Sequence, residues 1–128
     1  MFSQKIKLFV AGRQQTFQIL AAFDSHDKVV WFHAASLGEF EQGRPIIERL
    51  KKEFPSHKIL LTFFSPSGYE IRKEYEFADV VCYLPMDSNK NVNRFLDMVN
   101  PELAIFIKYE FWPNYLKGLR QRNIPTIL

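Results

Sequence analysis

Residues 29–43 read VVWFHAASLGEFEQG, and they decide the fold. Val29 to Phe32 is an apolar run with no polar alternation, the pattern of a strand buried on both faces. The run empties into small residues, Ala34-Ala35-Ser36, followed by Gly38. From there apolar side chains return at helical spacing. Phe40, Ile47, Leu50 and Phe54 fall on one face, with Glu41, Arg44, Glu48 and Lys52 mostly opposite. This is a strand, a tight turn and a helix. The same pattern recurs along the chain. Further strand-like runs occupy 59–64, 80–84, 103–107 and 125–128, and helical spacing marks 69–77, 89–99 and 113–122. Four such units in a row predict an α/β fold, a parallel sheet with right-handed crossovers and helices on both faces.

Bulk properties agree with a folded domain. The 128 residues suit a single domain, 1–128, and the 47% hydrophobic content supplies enough apolar side chain for a core. A net charge of +3 is too small to argue for nucleic acid. The charge is unevenly placed, however. Met1 to Phe23 contains Lys5, Lys7 and Arg13 and no acid, a segment suited to an anionic surface or to plain solvation. Residues 1–25 precede the βα pattern and read as an amphipathic lead-in. Cys82 is the sole cysteine and sits in an apolar run, so a buried thiol is expected. No stretch reaches the ~18 consecutive apolar residues of a membrane span. The chain closes at Leu128 in a strand-like run that a finished domain would follow with a helix, which suggests a truncated piece of something longer.

Ligands in open α/β sheets bind beyond the carboxyl ends of the strands, where the strand order reverses. The turns there are 34–39, 65–68, 85–88 and 108–114. With strand order 3-2-1-4-5, the first and fourth flank the crevice, and they carry Glu39 and Glu110. Taken as pattern alone, Ser36-x-x-Glu39 favours a capping box, in which the serine oxygen accepts a helix N–H and the glutamate reaches back to the Ser36 N–H. Such a cap contributes about 1 kcal/mol. Ser67-x-x-Glu70 has the same form. The catalytic reading of Glu39 has its own logic. A helix N-terminus keeps a carboxylate ionised, as a base must be, and Gly38 lets a substrate approach the backbone. Ser65, Ser67 and Gly68 offer hydroxyls and a close backbone approach in the second turn. Trp112 either packs or stacks on a ring at the rim, and Asn114 lies in the same turn. His26, His33 and His57 show no metal-ligand spacing, and no metal site is expected. His33 is read first as structural. Neither a Walker loop nor GxGxxG is present.

The segments HAASLGEFEQGRPIIERL, SPSGYE, YLPMDS and KYEFWPNYL, in this order and spacing, resemble the N-terminal half of the 3-deoxy-D-manno-octulosonic acid (Kdo) transferases. The resemblance covers about Lys5 to Leu128. It implies a Rossmann-like domain, the N-terminal half of a GT-B glycosyltransferase. This half would bind the acceptor, lipid A precursor, and a C-terminal domain would bind the donor, CMP-Kdo. It further implies inverting transfer with no cofactor and no metal. Glu39 matches the general base, Glu110 a second carboxylate with a transition-state role, and Ser65–Gly68 an acceptor-side loop. Family members usually begin with a hydrophobic anchor and act at the cytoplasmic face of the bacterial inner membrane, which turns the basic lead-in toward a membrane reading. The fragment alone is expected to be inactive. Two alternatives remain. One is a GT-B enzyme with another acceptor. The other is a flavodoxin-like interaction module, disfavoured because Asp24 and Asp27 precede the first strand rather than following it.

Overall fold

A computed structural model of the chain describes residues 13, 15–108 and 112–128. Residues 15–20 are helical. After them come β1 (Val29–Ala34), α1 (Leu37–Glu53), β2 (Lys58–Phe63), α2 (Pro66–Arg72), β3 (Val80–Tyr83), α3 (Asn89–Val99), β4 (Leu103–Phe106), α4 (Pro113–Gln121) and β5 (Thr126–Ile127). The five strands form one sheet in the order β3-β2-β1-β4-β5. Every pairing is parallel. The α/β, Rossmann-like arrangement read from the sequence is therefore the fold. The order reverses between β1 and β4, the crevice position inferred from the turns.

The two faces of the sheet have separate cores. On one, Trp31, Leu60, Cys82, Ala104 and Phe106 are covered by Leu20, by Phe95 and Leu96 of α3, and by Tyr115 and Leu119 of α4. On the other, Phe32, Ile59, Leu61 and Phe63 meet Phe40 and Ile47 of α1, with Tyr75 beside them. Strand residues alternate between the faces, and both faces are dry, which explains the unbroken apolar run at the start of β1. Cys82 is fully buried, and desolvation holds its thiol far above the ordinary range.

One helix differs from expectation. The spacing at 69–77 predicted a helix there, yet α2 starts at Pro66 and ends at Arg72. Pro66 takes the first helical position, where its missing N–H costs nothing. After Arg72 the chain turns, with the Tyr75 N–H donating to the Arg72 carbonyl at 2.9 Å. Tyr75 then returns to the core, its ring edge-on to Phe40 at 5.0 Å and its hydroxyl donating to Glu48 at 2.7 Å. Its apolar spacing came from a turn that re-enters the core.

The rim at the strand ends

β1 and α1 place the first turn at the crevice. Gly43 fixes how closely α1 approaches: a Cβ there would lie 2.5 Å from Ile107 Cδ1. The absent side chain lets the helix rest against the residue that follows β4. Glu39 is one turn earlier on the same helix face, at the rim. The Ser36 hydroxyl donates to the Glu39 carboxylate. This hydrogen bond, the glutamate's own backbone N–H and the charge of Lys108 together hold its carboxyl below the usual carboxylate range. The group is thus an ionised carboxylate at neutral pH, close to solvent.

The capping box is not formed as expected. Ser36 occupies the N-cap with extended backbone (φ −148°, ψ 179°), but its side chain makes no cap hydrogen bond. Its proton goes to Glu39 instead, because an anionic acceptor three residues on outcompetes a role as neutral acceptor for an amide. In the second turn, Ser65 rather than Ser67 precedes the helix, and the two hydroxyls bond each other at 2.8 Å. Glu70 pairs with Lys73 at 3.3 Å.

The first two turns form a continuous ledge. The N–H groups of Phe64 and Ser65 donate to the carbonyls of Ala34 and Ala35, at 3.3 and 2.9 Å. Ser36, Gly38, Glu39, Ser65 and Ser67 therefore lie together. Gly38 is exposed, and a Cβ there would lie 4.0 Å from Ser36 Oγ, an ordinary contact. Gly68 is different: it is buried, and a Cβ would lie 2.4 Å from the Phe63 ring, so it serves helix–strand packing. Behind the ledge, Thr62 is shared between Trp31, whose Nε1–H donates to it at 2.8 Å, and His33 Nδ1, also at 2.8 Å. His33 is buried, in keeping with its structural reading.

Trp112 spans the rim, edge-on to His33 at 5.5 Å and tilted against Phe64 at 5.4 Å. Following β4 in the chain, it thus packs across the switch point on residues of β1 and of the turn after β2. Asn114 donates its side-chain amide to the Asp87 carbonyl at 2.9 Å. Its amide faces the third turn, away from the ledge. Glu110 lies outside the described residues.

Two features were missed by the sequence reading. The first is Arg13, expected in a basic face toward solvent or lipid. Its guanidinium instead donates to the Phe64 carbonyl at 2.7 Å, with its carbon 4.8 and 5.0 Å from the Phe64 and Tyr83 ring centres. Desolvation lowers its pKa to about 10, so it stays cationic at neutral pH. A lone arginine far away in sequence gives no local signal of such a docking. Lys5 and Lys7 lie outside the described residues. The second feature is Asp87. Its carboxylate accepts the backbone N–H groups of Tyr115 at 3.1 Å and Asn114 at 3.4 Å, capping α4 from the third turn. Trp112, the local N-cap, makes no side-chain cap hydrogen bond. Asp87→Ala is expected to cost about 1–2 kcal/mol, read as a lower urea midpoint, with Asp87→Asn recovering part of it. An unchanged midpoint would show that the cap contributes nothing.

Comparison with known proteins follows the same line. The model of the family described as "3-Deoxy-D-manno-octulosonic-acid transferase (kdotransferase)" matches residues 11–128. A 3-deoxy-D-manno-octulosonic acid transferase of Haemophilus influenzae is 38% identical over 101 residues, covering 77% of this chain and 23% of the relative. The enzyme of the same name from Aquifex aeolicus is 40% identical over 88 residues, covering 68% and 24%. A bifunctional glycosyltransferase/methyltransferase of Fusobacterium nucleatum is 29% identical over 132 residues, covering 98% of this chain and 19% of the relative. The chain thus spans about a quarter or less of the length of the relatives it matches. With the βα ledge, the switch-point glutamate and a match over nearly the whole chain, this protein belongs to the Kdo transferase family.

Proposed function

We propose that this chain is the acceptor-binding domain of a GT-B glycosyltransferase that moves Kdo from CMP-Kdo to lipid A precursor, with Glu39 as general base. The observation that carries this reading is the Glu39 carboxylate, held ionised by Ser36 at the β1/β4 switch point. An acceptor hydroxyl placed on the Ser36–Ser65 ledge is within reach of that carboxylate. Glu39 takes its proton as the oxygen attacks the anomeric carbon of Kdo and CMP departs, a single displacement that inverts the centre. A domain outside this chain holds CMP-Kdo, so the chain alone turns over no donor. Glu110, which the family resemblance matches to a second carboxylate, supports the charge that develops on the sugar. The lipid acceptor places the enzyme at the cytoplasmic face of the bacterial inner membrane. No helix among the described residues is long and apolar enough to cross a membrane.

A second reading keeps the fold and changes the acceptor. It is favoured by the Fusobacterium relative, which aligns across nearly the whole chain and bears a broader name. The full-length enzyme, given CMP-Kdo and a panel of acceptors, separates the two. Kdo should appear on lipid A precursor. Transfer to a different acceptor alone would overturn the first reading in favour of the second.

A further inference from the structure

Lys108 stands out on the rim for its backbone. Among the described residues, three non-glycine residues adopt positive φ: Asn100, Asn123 and Lys108. Asn100 closes α3 and Asn123 follows α4, and asparagine takes that conformation easily at helix ends. Lys108 has φ 66° just beyond β4, with no helix to end and no short polar side chain to ease the turn. Strained backbone of this kind gathers where a side chain must be aimed. Its place is fixed from both sides. The Ile107 N–H donates to the His33 carbonyl at 2.9 Å, which ties the end of β4 to β1. Gly43 seats α1 on Ile107, one helical turn from Glu39. Lys108 is therefore the next residue along from the contact that positions Glu39. It is exposed, and among the described residues it has no hydrogen bond or ion pair. The crevice holds an ionised carboxylate and a nearby ammonium that are not paired with each other.

We propose that Lys108 is a substrate-binding residue of this site, its ammonium receiving the carboxylate of the transferred sugar acid across the crevice from Glu39. The inference rests on the transferase reading above. The family description names an octulosonic acid, which carries a negative charge at neutral pH. Bringing that anion beside Glu39 sets two like charges in one cleft, a repulsion that grows as water leaves. A cation between them removes the repulsion and orients the sugar so that its anomeric carbon faces the base side. Among the described residues Lys108 makes no ion pair, and in this reading its partner arrives with the donor.

The test uses the full-length enzyme and measures KM separately for donor and acceptor. Lys108→Met should raise the donor KM about tenfold or more, the loss of one charge-assisted hydrogen bond, with the acceptor KM little changed. Lys108→Arg should recover most of the loss. A donor analogue with its sugar carboxylate esterified should be used equally poorly by wild type and Lys108→Met. Lys108→Gly should be at least as stable as wild type, since glycine takes the left-handed backbone freely, and should still show the raised donor KM. A rise confined to the acceptor KM would move the anion to an acceptor phosphate and overturn the proposal. So would full sensitivity of Lys108→Met to esterification, or unchanged kinetics in every variant. Absence of Kdo transfer by wild type is a separate outcome that removes the transferase reading itself.

Discussion

Glu39→Gln in the full-length enzyme is expected to lower kcat/KM by about 10²–10⁴, the range that a positioned general base supplies. Stability should stay within about 0.5 kcal/mol of wild type. The carboxamide oxygen can still accept the Ser36 proton, but it cannot take a proton from a sugar hydroxyl at neutral pH. Glu39→Ala should lose the same activity and also leave Ser36 without its acceptor. The pH profile gives a second reading. Ser36 and the backbone amide lower the Glu39 pKa, so the acid limb of kcat/KM should fall below the ordinary glutamate value of about 4.3. Ser36→Ala removes the largest of these influences and should move that limb upward. Glu39→Gln retaining more than about a tenth of wild-type transfer would remove the base assignment, since even the weakest general base supplies more.

The largest loss of stability is expected from Trp31→Ala, at about 3–5 kcal/mol. Trp31 is fully buried in the middle of β1. Its ring meets Phe95 at 4.8 Å, Phe106 at 5.2 Å and Tyr115 at 5.8 Å, so it joins the sheet to α3 and α4 at once. Truncation opens a cavity among aromatic rings that cannot collapse into it. Domains of this size hold only about 5–15 kcal/mol in all, so the variant should unfold at a much lower urea concentration, visible by circular dichroism. Trp31→Phe keeps most of the ring contacts and loses the bond to Thr62, and should cost clearly less. A loss under about 1.5 kcal/mol for Trp31→Ala would mean that this face is not close-packed.

The strands were legible because a parallel sheet buried on both faces leaves little room for polar residues. Each strand-like run lies within a residue or so of an observed strand, and 89–99 matches α3. Strand order was legible as a common arrangement of four crossovers, and the crevice followed from it. Local chemistry was harder to read. Ser36-x-x-Glu39 fits two hydrogen-bond patterns, and only the direction of the hydroxyl decides between them. The aromatics of 69–77 have helical spacing, yet Tyr75 reaches the core from a turn. Arg13 and Asp87 act across 51 and 28 residues respectively, on partners that no periodicity links to them. The site was legible where it depends on the ends of strands, and hidden where it depends on side chains that meet only after folding.

Thr62 has a consequence for the rim that its packing role leaves unstated. A hydroxyl has one hydrogen to give. The Trp31 indole can only donate, so it occupies an oxygen lone pair of Thr62. That hydrogen has two acceptors in reach, His33 Nδ1 at 2.8 Å and the Phe32 carbonyl at 3.5 Å. Given to Nδ1, it puts the imidazole hydrogen on Nε2; given to Phe32, it leaves Nδ1–H to donate to the second lone pair of Thr62. The tautomer of a residue beside the switch point is coupled, through one hydroxyl, to an indole in the hydrophobic core. A substitution at Trp31 that left the fold standing would still release that coupling, and a change of tautomer would reach the rim as a hydrogen moved from one side of a ring to the other.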